Sequence, residues 1–260
     1  MHRIINIARN ENNDNDFIEQ PTADFIFLTS AKSDINLLSY LLENEGNFFK
    51  ESIRALNITS LNSPIQIDNY ISKTLVKTKI VILRIFGDRG TWSYGLEQMK
   101  IWNKSNKGST LLVLSGIEDQ DIPLNENSSL EIDISIQISK ILRAGGKENF
   151  LNFLHCLNFL SQNKKIPKKY LNLKVYSDPY KYDWGNEKGT KIGIISYRSL
   201  YLANEVELSD KLNAYLRKNN LSPRTVFVST LKKKVIQKEL LKILKEENIK
   251  LVITTTSFNS

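Results

Sequence analysis

Hydroxyl, aromatic and guanidinium side chains recur just after the apolar runs of this chain, at Thr29-Ser30, Arg89 to Tyr94, Ser115-Gly116, Tyr197-Arg198, Ser229-Thr230 and Thr254 to Ser257. Residues of these types can hold a carboxylate-bearing ligand. Hydroxyls supply single hydrogen bonds, and a guanidinium grips a carboxylate through two parallel ones. The candidate substrate-binding residues are therefore Arg89, Trp92, Tyr94, Tyr197, Arg198, Ser229, Thr255 and Ser257. Each has a structural reading beside the functional one: the arginines as hydrogen-bond donors within the fold, and Trp92 as a cap on a sheet end instead of a stacking platform.

Other chemistries find little material. Nitrogen or sulfur ligands for a metal are limited to His2, His155 and Cys156, and the last two, adjacent on a helix, point about 100° apart. No metal ligand or catalytic residue is assigned. A nucleophile paired with a histidine base is equally unsupported, and Cys156 reads as a small hydrophobe. The chain has no Gly-x-x-x-x-Gly-Lys-Ser/Thr phosphate loop, and Gly193 lies inside a strand pattern with no further glycines after it, so neither an ATP site nor a dinucleotide site is expected.

The elements that must position these residues start from Ile80 to Phe86, an apolar run broken only by Arg84 and typical of a strand buried on both faces. Gly87 and Gly90 end it, and apolar residues from Ser93 to Asn106 fall at helical spacing. Before it the pattern predicts a short strand at Ile4 to Ala8, a strand at Ala23 to Thr29, a helix Ile35 to Leu42 capped by Asp34 and ended by Gly46, a strand Ile53 to Ile58, and a helix capped by Asp68 and running through Lys77. After it come a strand Thr110 to Leu114, a loop Glu118 to Asn127, and helices Leu130 to Leu142 and Lys147 to Ser161 joined at Gly145-Gly146. Residues 162–190, rich in Pro, Gly and Lys, read as a connector. Its tyrosines and Trp184 either pin it down or offer a stacking surface. A strand Ile192 to Tyr197, a helix Asn204 to Asn219, a strand Thr225 to Val228, a helix Val235 to Glu246 and a strand Lys250 to Thr254 follow.

Alternating strands and helices with short links define an α/β protein made of two Rossmann-like parallel-sheet units. The first domain is expected at 1–161 and the second from 191 to 260. With its last strand ending just before Ser260, the second unit reads as incomplete at the C-terminus, and the chain as the N-terminal part of a longer polypeptide.

Composition sets the outer bounds. A 260-residue chain with 41% hydrophobic residues can bury a real core, no apolar run reaches the roughly 20 residues of a membrane span, and the single cysteine fits a reducing, cytoplasmic location. Charge is uneven: residues 1–160 carry a net −3 and residues 161–260 a net +11, together the +8 of the whole chain. The basic half invites an acidic partner, yet its lysines fall mostly on a predicted helix with interspersed glutamates, so a solvated face is favoured and nucleic acid is an unlikely partner.

Four collinear stretches carry a family resemblance. Gly87-Asp88-Arg89-Gly90-Thr91-Trp92-Ser93-Tyr94-Gly95-Leu96-Glu97-Gln98 is similar to a Gly-Gly-Arg-x-Tyr-Trp-x-Tyr-Gly-x-Glu-x pattern of the aerobic cobaltochelatase large subunits, CobN, with Asp88 and Thr91 as departures. Pro21 to Ala31 with Asp34, Leu142 to Asn149, and Ile192 to Ser199 followed by Val226 to Leu231 and Thr255 to Phe258 resemble the same family in the same order. The resemblance implies the large, tetrapyrrole-binding subunit of an ATP-dependent chelatase that inserts Co²⁺ into hydrogenobyrinic acid a,c-diamide in cobalamin biosynthesis. It also implies two AAA+-related partner subunits that hydrolyse ATP. Co²⁺ as substrate and ATP on those partners are both expected outside these 260 residues, and the fragment alone is expected to be inactive. A magnesium chelatase H-type subunit and a non-catalytic α/β binding module are the alternatives.

Overall fold

Every side chain of Ile80–Ile85 is buried, so both faces of this strand must be covered. In the computed structural model, which describes residues 17–255, it is β3 of a four-stranded parallel sheet with β1 (Phe25–Thr29), β2 (Ile53–Asn57) and β4 (Thr110–Ser115), in the order β2-β1-β3-β4. Successive side chains go to opposite faces. Phe25, Phe27, Ile80 and Ile82 pack with α1 (Lys32–Asn44), and Ile26, Leu28, Val81 and Leu83 with α2 (Pro64–Thr74) and α3 (Ser93–Ser105). After β4 the chain forms a one-turn helix α4 (Asp121–Asn125), then α5 (Ile132–Ala144) and α6 (Lys147–Ser161), which join α1 on the first face. The α5–α6 turn runs through Gly145 and Gly146 at φ 65° and 83°, a region that side chains beyond Cα disfavour.

β4 lies at the end of the sheet order, where unpaired backbone donors would attract another strand. Serine hydroxyls occupy them: the N–H groups of Leu111, Val113 and Ser115 donate to Ser129 Oγ (2.8 Å), Ser128 Oγ (2.8 Å) and Ser139 Oγ (3.1 Å). At the other end of the strands Asp24 ties β1 to β2. It accepts from the Ser52 hydroxyl (2.6 Å) and amide (2.9 Å) and pairs with Lys79 (2.9 Å). Burial by itself raises the Asp24 pKa, but these donors outweigh it and hold the carboxyl at about 2. Since an unfolded aspartate titrates near 3.9, this carboxylate adds stability that is complete above that pH and lost as pH falls through about 2. Ser52→Ala is expected to move the Asp24 pKa up towards the ordinary value and to shift acid unfolding to higher pH. Carboxyl titration by NMR checks it, and an unchanged Asp24 midpoint would refute it.

Two compact units divide at Lys174 and Val175. That point lies inside the stretch 162–190 read as a connector, which supplies the short helix α7 (Lys168–Leu171) to the first unit and the strand β5 (Tyr180–Tyr182) to the second. In the second unit β6 (Thr190–Tyr197) is flanked by the parallel strands β7 (Leu221–Val228) and β8 (Leu251–Thr254), and β5 runs antiparallel on the far side of β7. Helix α8 (Arg198–Leu202) follows β6, α9 (Glu207–Lys218) packs on Ile192 and Ile194, and α10 (Lys234–Glu246) on Ile195, Val226 and Val228. Pro223 sits where β7 has a neighbour on one side only, because β5 reaches just Thr225 to Phe227. The lysines of α10 are exposed, as a solvated face requires.

The α/β class holds, with several corrections. The second sheet is mixed, because the tyrosines expected in a connector form a strand. Tyr180 stacks on Tyr201 at 4.1 Å, and Trp184 Nε1–H donates to Thr225 O (2.8 Å), so these rings anchor the segment to its own sheet. Asp34 does not cap α1, which starts two residues earlier. Asp68 lies inside α2, whose first residue is Pro64, a helix-start signal that outranks an internal aspartate. Glu118 to Asn127, read as loop, holds α4. The helix expected from Asn204 starts at Glu207 after a separate α8, since Asn204 adopts φ 59°. The strand expected at Ile4 to Ala8 lies outside the described residues.

Candidate functional site

The chain steps from β1 to β2 on one side and then to β3 and β4 on the other. Loops leaving the strands part at such a reversal and open a crevice at the carboxyl ends. Ser30 after β1, Ile58 to Ser63 after β2, and Gly90 to Trp92 after β3, with the first turns of α2 and α3, line a cleft of about 430 Å³. Trp92 and Tyr94 both line it. The Trp92 indole N–H donates to Leu61 O (3.1 Å), and its ring lies against Gly95, where a Cβ would stand 2.4 Å from ring atoms. The Tyr94 hydroxyl donates to the Asp68 carboxylate (2.8 Å), which raises the phenol pKa. Asp88 accepts from the Gly90 (2.8 Å) and Thr91 (3.2 Å) amides and so caps the turn that carries Trp92.

Arg89 is not part of this cleft. Its Nε donates to Pro123 O (2.7 Å), its terminal nitrogen pairs with Glu126, and it borders a separate polar hollow with Lys100, Asn103 and Lys104. Sequence reasoning missed the charges that hold the cleft from behind. Arg84, the lone interruption of the apolar run, donates from one nitrogen to both Asp34 oxygens (2.6 Å each) and is only 4% exposed. Thr29 Oγ1 donates to Asp34 (3.0 Å) and accepts from the Ala31 amide (3.1 Å), which fixes Ser30 at the cleft. Arg143, within one of the family-like stretches, makes two bonds to Asp121 (2.5 and 2.7 Å). Each pair is neutral as a whole and offers a ligand no spare charge. The signal in the sequence was Arg84 itself, a charge inside an otherwise apolar run; its place opposite Thr29, five residues before Asp34, follows only from the strand register.

In the second unit the candidates at the strand ends split into two groups. Asp178, unflagged in the sequence, accepts from the Ser229 amide (3.1 Å) and faces Arg198 (3.5 Å), so both of those candidates share one internal partner. The Thr255 hydroxyl lies 2.6 Å from the Ser196 hydroxyl, and its amide donates to Ile195 O (3.1 Å). Tyr197 ends β6 at the N-cap position of α8, half-buried. Ser257 lies outside the described residues.

Among the described residues no group of three His, Cys, Asp or Glu side chains is placed to hold a metal ion. His155 is stacked between Phe48 (3.9 Å) and Tyr170 (4.3 Å), where burial, then Lys169, lowers its pKa. Cys156 is buried and its thiol is pushed up to about 12, an inert position. No helix among these residues is long and apolar enough to cross a membrane.

Comparison with known proteins agrees with the four collinear stretches. The family described as CobN/Magnesium Chelatase matches residues 139–260. The chain is 22% identical over 253 residues to the aerobic cobaltochelatase subunit CobN of Pseudomonas aeruginosa, covering 93% of this chain and 20% of that protein. It is 24% identical over 259 residues to the protein of the same name from Sinorhizobium sp., covering 92% and 20%. The catalytic subunit of cobaltochelatase from Mycobacterium tuberculosis shares the fold, with a TM-score of 0.61 over 85% of this chain and 17% of that one, at 15% identity. The family match thus covers a little under half of the chain, and similarity to the two CobN proteins extends along most of it. Its named relatives are cobaltochelatase subunits, and it spans about a fifth of their length.

Proposed function

We propose that these 260 residues serve a cobaltochelatase as part of its large subunit, which binds hydrogenobyrinic acid a,c-diamide and presents it for Co²⁺ insertion. Two AAA+-related subunits supply ATP hydrolysis in this reading. The observation that carries it is the match to CobN proteins along more than nine-tenths of the chain. The chain's own contribution is to bind and orient: a cleft at the carboxyl end of the first sheet, and a basic second half that draws an acidic substrate. The protons lost from the macrocycle on metal insertion need a base, and no residue here is assigned that task.

Reconstitution tests the reading. The polypeptide carrying these residues is mixed with the two ATPase subunits of a cobaltochelatase, ATP, Co²⁺ and hydrogenobyrinic acid a,c-diamide. The tetrapyrrole absorption is expected to change to that of the cobalt complex. Activity with Mg²⁺ and a porphyrin instead would assign the magnesium branch, and activity with neither would overturn the proposal. Substrate affinity is further expected to fall as salt rises from 50 to 500 mM, because the attraction is between unlike charges. Binding that ignores ionic strength would remove the basic half from the mechanism. Equally strong, salt-sensitive binding to arbitrary DNA would favour a nucleic-acid module.

A further inference from the structure

We infer that α10 and β8 form a docking surface for an amphipathic helix with a carboxylate edge, supplied by the large subunit outside these 260 residues. Parallel strands are ordinarily covered on both faces, yet β8 is mostly exposed, with Val252 at 40%. The register fixes which face Val252 leaves open. It stands opposite Gly193 and shares its side of the sheet. A Cβ on Gly193 would meet Leu244 of α10 at 3.5 Å, so Val252 lies on the α10 side, one strand further out. Residues three apart on a helix are neighbours. Leu241 therefore extends the Leu244 side of α10, and it is 54% exposed where Leu244 is partly buried. Leu241 and Val252 are the uncovered apolar residues of that side.

Topology and charge say what covers them. The β6-α9-β7 and β7-α10-β8 connections cross the sheet in opposite directions and put α9 and α10 on opposite faces. A further strand beside β8 continues the second direction, and a right-handed connection lays its helix on the α10 side, over Val252. Lys238, Lys242 and Lys245 surround Leu241 in a shallow hollow that holds one acid, Glu246. Lys191 and Lys211 of this unit pair with Glu247 and Glu207, but these three ammonium groups have no partner among the described residues. A helix alongside α10, apolar inward and with Glu or Asp at i, i+4 spacing along one edge, buries Leu241 and Val252 and pairs the lysines. A nucleic acid would satisfy the lysines and leave both apolar side chains uncovered. The inference rests on the function proposed above for the source of the helix alone, since these residues span about a fifth of the length of their CobN relatives.

The test compares the 260-residue chain with the full-length polypeptide that carries it. Hydrogen exchange of the Leu251–Thr254 amides is expected to be at least about tenfold slower in the longer polypeptide. Leu241→Asp alters an exposed residue, so it is expected to leave the melting temperature of the 260-residue chain unchanged and to remove most of the added protection in the longer one. Lys238→Glu with Lys245→Glu is expected to do the same through like-charge repulsion. A photoreactive p-benzoylphenylalanine placed at Leu241 is expected to cross-link within the longer polypeptide, to a segment bearing Glu or Asp at helical spacing. Equal exchange in the two lengths, protection that survives either variant, or cross-linking to a different protein or to added duplex DNA would overturn the inference. None of these readouts needs metal insertion. A full-length polypeptide that inserts Co²⁺ without the added protection overturns this surface alone. One that shows the protection and the cross-link but inserts no metal keeps the surface and counts against the proposed function.

Discussion

Replacing Asp34 with alanine is expected to destabilise the first unit by about 3–5 kcal/mol, the usual result of removing one partner from a buried ion pair. The Arg84 guanidinium has little water to turn to. The residue is 4% exposed, its Nε already lacks a partner, and the Phe86 ring covers it at 4.7 Å. Burial pulls its pKa down, and the Asp34 charge is what opposes that effect. The same substitution frees Thr29 and the Ser30 turn from their anchor, so any ligand held by the cleft is expected to bind more weakly. Urea unfolding of the chain followed by tryptophan emission measures the loss. The double variant Asp34→Leu with Arg84→Met removes both charges and is expected to recover most of the stability, as apolar replacements of buried pairs commonly do. A loss below about 1 kcal/mol for Asp34→Ala, in the range of exposed pairs, would show that Arg84 reaches solvent.

Gly95→Ala carries the second large effect, and its sign is the informative part. Inside a helix this change normally stabilises by about 1 kcal/mol. Here the new Cβ would meet the Trp92 ring at 2.4 Å, with the indole held from its other end by Leu61. The ring must leave its place, and overpacking of this kind costs about 1–3 kcal/mol. Gly95→Ala is therefore expected to destabilise, to change Trp92 emission and to remove one wall of the cleft. In a Trp92→Ala background the obstacle is gone, and the same glycine replacement is expected to stabilise. A destabilisation of equal size in both backgrounds would locate the cost in the helix backbone and not in the indole.

The two experiments probe contacts that local sequence could not reveal. Gly95 was legible only as one residue of a family-like stretch, and nothing in its neighbours says that an indole three positions earlier folds back over it. Asp34 looked like a helix cap because aspartate near a helix start usually bonds a nearby amide. The energy at stake in such a cap is about 1 kcal/mol. Once the parallel sheet sets Arg84 beside Thr29 and against the first turn of α1, a buried guanidinium outbids the amide for the same oxygens. Arg89 illustrates the opposite outcome: its position after β3 was right, but Glu126 and Pro123 hold it away from the cleft that Trp92 and Tyr94 line.

What the sequence determined by itself are the features written in short-range periodicity: the doubly buried strands, the amphipathic helices α3, α6 and α10, the two-glycine turn before α6, and the α/β class that follows from their alternation. Collinear motifs added the resemblance to CobN proteins, which the match over residues 139–260 and the two CobN relatives support. Tertiary structure alone decided the antiparallel β5, the hydroxyl-covered edge of β4, the Arg84–Asp34 and Arg143–Asp121 pairs, and which loop residues meet in one cleft. The reason is physical. A strand or helix is selected by which face its own neighbours in sequence can bury, whereas a polar side chain settles on whichever partner the finished fold brings within about 3 Å, at separations no local pattern encodes.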